Sequence, residues 1–226
     1  MPAGPPGAVA RYGFEADSEW RDTTGNGADL SVAGNTAGTV RHVPHGRGRA
    51  VRFPAPCLVK PCPRIVLRTP SRPQLNPGSR DLAFGASIQL APEHTSEGQN
   101  VLQKGFSAEG SQYKLQIDGY AGRPSCVLVG APDREIWRAV ADSIVSDGRW
   151  HDLECRRTAA TLTVLIDGVE RGSAGVPNGL FIADDHPLMI GGKSTSQSND
   201  QFHGAVDDVW IAVGIPPSNL GRRDRR

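Results

Sequence analysis

Aromatic residues are scarce in this chain, at 6% of 226 residues, and no stretch approaches the roughly 18 consecutive apolar residues that a membrane-crossing helix needs. A helical membrane span is therefore excluded. Charge of one sign is lacking too: 25 Lys and Arg stand against 24 Asp and Glu, a net charge of +1, so no global field draws in nucleic acid or an anionic membrane. Met1 to Gly7 has neither the basic n-region nor the apolar h-region of a secretory signal, so export has to be argued from the cysteines. Long helices are short of room, because 27 glycines and 18 prolines interrupt the chain.

Short alternating segments take their place. Tyr113, Leu115 and Ile117 line one face while Lys114 and Gln116 line the other, and Asp118-Gly119 then turns the chain. Leu162, Val164 and Ile166 repeat the device before Asp167-Gly168, a pair that tolerates the positive φ of a tight hairpin. Further strands are expected over 9–14, 50–53, 82–90, 100–104, 126–129, 150–156, 187–190 and 205–213. A dozen or so short strands with turns between them point to an all-β, two-sheet sandwich or jelly roll. Residues 133–144 read equally as a helix or as a strand between loops, and the Pro-rich stretch 54–77 reads as an irregular wrap around the sandwich. One domain over 9–214 is expected, with a disordered segment 1–8 before it and a charged, solvated tail 215–226 after it.

Catalytic constellations are missing. There is no G-x-S-x-G elbow, and Gly192-Lys193-Ser194 ends a stretch whose first phosphate-loop position is Pro187, so neither an α/β-hydrolase nor a nucleotide site is supported. The E-x-D-x-x-E strand of sandwich glycosidases, which would set a matched carboxylate pair on one face, is absent. His42 and His45 with Cys57 and Cys62 offer zinc ligands at loose spacing, and a local disulfide between the two cysteines is the preferred reading. His151 at a strand start reads as a hydrogen-bonded strand residue before it reads as a general base.

Two segments rise above this background. Tyr12-Gly13-Phe14-Glu15 runs into Arg21-Asp22-Thr23-Thr24-Gly25-Asn26-Gly27, a turn rich in oxygen donors of the kind calcium takes, although an Asx-type turn without metal accounts for it as well. In Ala205-Val206-Asp207-Asp208-Val209-Trp210-Ile211, period two aims Asp207 to the side of Val209 and Ile211. An inward carboxylate asks for a cation or several donors, and a calcium shared with Asp22 would tie the first strand to the last.

In their order along the chain these segments resemble a known family. The opening Tyr12-Gly13-Phe14-Glu15 and Asp22-Thr23-Thr24-Gly25-Asn26-Gly27, then Gly46 to Phe53, Asp147-Gly148-Arg149-Trp150-His151, Val164 to Gly168, Ile190-Gly191-Gly192 and Phe202 to Val209, look like a laminin G-like domain of the concanavalin A-like lectin/glucanase superfamily. The resemblance spans roughly 9–213. It implies a concanavalin A-like jelly-roll sandwich, commonly exported, acting in binding or adhesion and often holding a structural calcium. Carried over residue by residue, Asp22 and Asp207 would supply carboxylates to that calcium, and Asn26 and the Gly25 backbone would supply carbonyl oxygens. It also implies a bridge between Cys126 and Cys155 on neighbouring strands; with Cys57 and Cys62 closing a small loop, two bridges would place the protein outside the reducing cytosol.

The function expected is a non-catalytic, secreted recognition module for carbohydrate or a glycan-bearing surface, monomeric by default and without nucleic-acid partners. The alternatives are a glycan-cleaving hydrolase or lyase on the same fold, and a protein-adhesion or spacer domain without a small ligand. Trp20, Tyr120 and Trp137 fall in expected loops and are open to exposure, whereas Trp150 and Trp210 are expected to pack in the sandwich.

Overall fold

The computed structural model describes Pro5 and residues 7–214, so most of the expected leader 1–8 and all of the expected tail 215–226 lie outside the described residues. In chain order the strands are β1 (Ala8–Tyr12), β2 (Ser31–Asn35), β3 (Arg41–His45), β4 (Gly48–Arg52), β5 (Arg64–Thr69), β6 (Leu82–Gln89), β7 (Gly98–Gly105) and β8 (Gln112–Asp118). They continue with β9 (Arg123–Val129), β10 (Ile136–Val140), β11 (Trp150–Thr158), β12 (Thr161–Ile166), β13 (Val169–Gly175), β14 (Leu188–Ile190) and β15 (Ala205–Val213). Two single 3-10 turns, Pro73–Leu75 and Pro92–His94, interrupt the loops, and each opens on a proline whose fixed φ suits that position.

All pairings are antiparallel and form two sheets. The eight-stranded sheet runs β13-β12-β11-β6-β15-β4-β3, with β1 pairing β15 as well, and the seven-stranded sheet runs β10-β9-β8-β7-β14-β5-β2. One face of each sheet closes on a single core. Phe84 and Ile88 of β6, Val209 and Ile211 of β15, and Tyr113, Leu115 and Ile117 of β8 all meet there, each at most 1% exposed. The first strand lies against the last, with Tyr12 opposite Val209 and Ala10 opposite Ile211, as the pairing of the two termini required.

Several expectations change. Residues 133–144 contain the edge strand β10 and no helix. The Pro-rich stretch is not wholly irregular: Ile65 and Leu67 of β5 point into the core between β14 and β2. Cys126 and Cys155 are joined, but not across neighbouring strands; they link β9 of one sheet to β11 of the other through the core, with Cα atoms 5.5 Å apart. Cys57 and Cys62 close their small loop, so neither is available to zinc.

The largest correction concerns Asp207. The pairing of β15 with β6 slips between Asp207 and Trp210, where Asp208 adopts φ 45°. This bulge inverts the alternation, so Asp207 sits opposite Ser87 on the outer face while Val206 and Val209 both face the core.

Candidate functional site

Asp22 and Asp207, two of the expected calcium ligands, have different hydrogen-bond partners. Asp22 is buried, and its carboxylate organises its own loop: Oδ1 accepts from the Arg11 N–H at 3.1 Å, the Thr24 N–H at 3.0 Å and the Thr24 hydroxyl at 2.7 Å, and Oδ2 accepts from the Ala28 N–H at 3.2 Å. The Asn26 side-chain amide donates to the Val9 carbonyl and the Thr24 hydroxyl, and Gly25 supplies a turn residue at φ 81°. An oxygen set already accepting four hydrogen bonds from the backbone and a hydroxyl does not fit a calcium shell of six to eight oxygens. The arrangement is an Asx-type cage that fastens this loop to β1.

Asp207 instead meets His45 and Asp208. Its Oδ2 lies 2.7 Å from His45 Nδ1, its Oδ1 accepts the Asp208 N–H at 2.7 Å, and one ligand atom from each of the three residues falls within 4.8 Å of the others. The His45 ring stacks on Trp150 with centroids 3.9 Å apart, which fixes its orientation. Burial, then the neighbouring Asp207, pushes the Asp208 carboxyl up to about 6, against the pull of Arg11 and His45. One imidazole with two carboxylates is a mixed nitrogen and oxygen set that could hold a divalent ion, with a character nearer zinc or manganese than calcium.

A second feature lies at the end of the sandwich where β5 leads into β6 and β13 into β14. A groove of about 550 Å³ opens between residues 71–80 and 181–185, lined among others by Arg72, Asn76, Ser79, Arg80, Phe181 and Asp185. Backbone pairing holds both walls. Gly78 pairs with Ile182 and Ala131 with Phe181, so the segment 181–182 is laced to a neighbour on each side. The Phe181 ring is 52% exposed, and a Cβ added at Gly78, itself at φ 60°, would meet that ring at 3.3 Å. Among the described residues, the side chains of Arg72 and Ser79 make no hydrogen bond or ion pair, and the Asp185 carboxylate, which acts on Lys104 through its charge, makes no hydrogen bond, so a cation, a hydroxyl and a carboxylate line the groove with the half-exposed Phe181.

Two buried cations fix this geometry from beneath. Arg157, 2% exposed on β11, spends its guanidinium on the carbonyls of Leu180, Gly78 and Arg80. Lys104, 1% exposed at the end of β7, donates to the Ser71 hydroxyl and to the carbonyls of Asp184 and His186. Burial lowers both pKa values, that of Lys104 to about 8; Asp81 opposes the shift at Arg157, and Asp184 and Asp185 oppose it at Lys104. Each cation thus bonds to both walls of the groove.

Sequence reasoning missed this groove. Phe181 follows the turn Pro177-Asn178-Gly179 with no periodicity around it, and inward charges on β7 and β11 run against the alternation rule. Of the aromatics expected in loops, only Tyr120 is strongly exposed, at 71%; Trp20 packs edge-on against Phe14, and Trp137 packs against the core. Neither tryptophan expected inside the sandwich packs between the sheets: Trp210 is buried in a small cluster with Ala83 and Ala212 on the outer face, and Trp150 is half-buried against His45. His151 is held between Asp167 at 2.9 Å and Asp147 at 3.1 Å, as a strand residue with satisfied bonds.

Similarities to known proteins agree with the architecture. The chain resembles domain 4 of AbnA, a GH43 extracellular arabinanase from Geobacillus stearothermophilus in complex with arabinotriose, at 19% identity and a TM-score of 0.69, covering 96% of this chain and 98% of that one. The binding domain of Paraclostridial Mosquitocidal Protein 1 superposes with a TM-score of 0.69 at 14% identity, covering 95% of this chain and 51% of that one. The binding domain of botulinum neurotoxin DC in complex with SialylT does so with a TM-score of 0.68 at 10% identity, over 95% of this chain and 50% of that one. The chain spans about half the length of these toxin binding domains. At such identities the likeness shows the fold; two of these neighbours are binding domains, and the third is in complex with arabinotriose. No curated protein matches the sequence. The Laminin_G_3 family, in contrast, matches residues 70–213, a span that takes in strands β6 to β15 and both walls of the groove. With the two-sheet antiparallel sandwich that its motifs required, the chain belongs to the Laminin_G_3 family of the concanavalin A-like lectin/glucanases superfamily.

Proposed function

We propose that this chain is a secreted, non-catalytic recognition module that binds carbohydrate in the groove between residues 71–80 and 181–186. The observation that carries the reading is the half-exposed Phe181, held in a laced segment that shares the groove with Arg72, Ser79 and Asp185, whose side chains make no hydrogen bond. A sugar ring offers an apolar face to an aromatic and, at its edge, hydroxyls that both donate and accept. A cation, a carboxylate and a hydroxyl around one ring match that pattern. The glycan complexes of the arabinanase domain and of the neurotoxin binding domain support the same class of partner. Two disulfides support an oxidising compartment.

Catalysis is disfavoured by the same geometry. The groove's aspartates, Asp184 and Asp185, are consecutive in one wall, and Asp184 accepts from the His186 N–H while lying 2.7 Å from His186 Nδ1. Glycosidases need two carboxyl groups facing each other across the scissile bond. The test is a polysaccharide panel scored for both binding and new reducing or unsaturated ends. Phe181→Ala should lose binding by tenfold or more with its melting temperature unchanged. Turnover would support the enzyme reading, and silence on the panel combined with capture of a protein partner would support the adhesion reading.

We also propose that the cation expected from the sequence sits at His45, Asp207 and Asp208, leaving Asp22, Gly25 and Asn26 to their cage. A ligand that binds only the folded state raises the melting temperature. Zinc or manganese should do so and His45→Ala should remove the rise. A shift with calcium that survives His45→Ala but is lost in Asp22→Asn would restore the original ligand set.

A further inference from the structure

Resting on the reading of this groove as the glycan site, we infer that it takes an internal run of a sugar chain, two or more units long, rather than one terminal sugar. The groove does not end at Asp185. A second compartment of about 470 Å³, lined by Asn76, Ala183, Asp184, Asp185 and His186, shares Asn76, Ala183 and Asp185 with the first. Together the two line a longer stretch of surface than either does alone. A pocket for a chain terminus needs an end wall, and the three shared residues set a second compartment beside the first at that place.

The two compartments offer different contacts. The first has the Phe181 ring with Arg72 and Ser79. The second is walled by His186, whose Nδ1 lies 2.7 Å from Asp184 Oδ1 and whose Nε2 lies 2.9 Å from Glu109 Oε2, while its ring stands edge-on to Phe106 at 5.0 Å. With both nitrogens engaged, His186 presents a fixed ring and not a free hydrogen-bonding group. Asp185 borders both compartments, and its carboxylate, which acts on Lys104 through charge alone, makes no hydrogen bond, so it can accept hydroxyls from two successive sugar units. Lys104 lies beneath the junction and donates to the carbonyls of Asp184 and His186, which keeps the two halves in line. Asn76 Oδ1 also accepts the Asp184 N–H at 3.1 Å, so the junction is prearranged, and little ordering cost offsets the contacts of a second unit.

The experiment measures affinity by calorimetry for a ladder of one to five units of the glycan that binds most tightly in the panel. The Kd should fall by at least tenfold from one unit to three and then level off. His186→Ala should abolish that gain while leaving the affinity for one unit within about twofold, whereas Phe181→Ala should weaken every member of the ladder. Asp185→Asn, which removes no hydrogen bond of the folded chain, should reduce the gain in the same way and serves where His186→Ala melts early. A ladder flat to within threefold, or preference for a terminal monosaccharide, overturns the chain-binding inference and leaves the groove as a sugar site. Silence of every glycan in the panel overturns both.

Discussion

The groove depends on an arginine that never reaches solvent, and replacing it gives a quantitative test. Arg157→Met keeps the bulk and removes the fork, leaving the carbonyls of Leu180, Gly78 and Arg80 without their donor. A buried polar group that loses its partner costs about 1–3 kcal/mol. Gly78 O retains the Ile182 N–H, and Arg80 lies near the surface, so the total is nearer about 3 kcal/mol than three full penalties. For a domain of this size, that is a fall in melting temperature of roughly 6–12 °C. Arg157→Lys keeps the charge, yet a compact ammonium does not reproduce a planar fork that spans two walls, so it should recover only a minor part of the loss. The control is Arg156→Met one residue earlier, which breaks the 2.6 Å pair with the largely buried Glu154 on the outer face and touches neither wall of the groove. Thermal unfolding followed by circular dichroism measures all three, and glycan affinity measured well below the transition should fall in Arg157→Met and not in Arg156→Met. If Arg157→Met melts within 2 °C of the unsubstituted protein, or binds glycan undiminished, the fork does not hold the groove.

Three further outcomes follow from the same kind of accounting. Asp22→Ala should destabilise the chain by about 2–4 kcal/mol, because the N–H groups of Arg11, Thr24 and Ala28 lose their acceptor, and the loss should be equal in calcium and in chelator; denaturant titration in both buffers checks it. Breaking the Cys126–Cys155 bridge by Ser replacement should cost roughly 3–4 kcal/mol, from a sequence separation of 29, against about 2 kcal/mol for Cys57–Cys62 with a separation of 5; comparing the two double variants by denaturant unfolding tests the order. Burial opposes the charge on His151, but hydrogen bonds to Asp167 and Asp147 outweigh it and raise its pKa above 6.5, so its stabilisation is full below pH 6.5 and is lost as pH rises through the raised value. Asp147 is lowered from 3.8, chiefly by the Arg149 N–H, so its contribution is present above pH 3.8 and is lost as pH falls through the lowered value. Melting temperature followed from pH 5.5 to 8.5 should decline in the unsubstituted protein and decline less in His151→Asn; parallel slopes would show that the imidazolium contributes nothing.

What was legible in the sequence was whatever obeys period two or turn chemistry. Tyr113, Leu115 and Ile117 declared their strand and their face, Asp167-Gly168 declared its hairpin, and both ends of the chain declared their pairing through motif order. Asp207 was misread because one added residue at a bulge inverts every side chain beyond it, and Asp208 at φ 45° carries no stronger mark than any other aspartate. The groove was illegible for a different reason. Its aromatic lies in a loop, and its two supporting cations occupy core-facing positions where alternation predicts apolar residues. Those positions are tolerable only because the loop carbonyls of Gly78, Arg80, Leu180, Asp184 and His186 converge on them in three dimensions. Local pattern therefore specifies the sandwich, while the proposed site is specified by where it breaks that pattern: a buried Lys104 and a buried Arg157, each bonded to both loops, hold the two walls of the groove rigid.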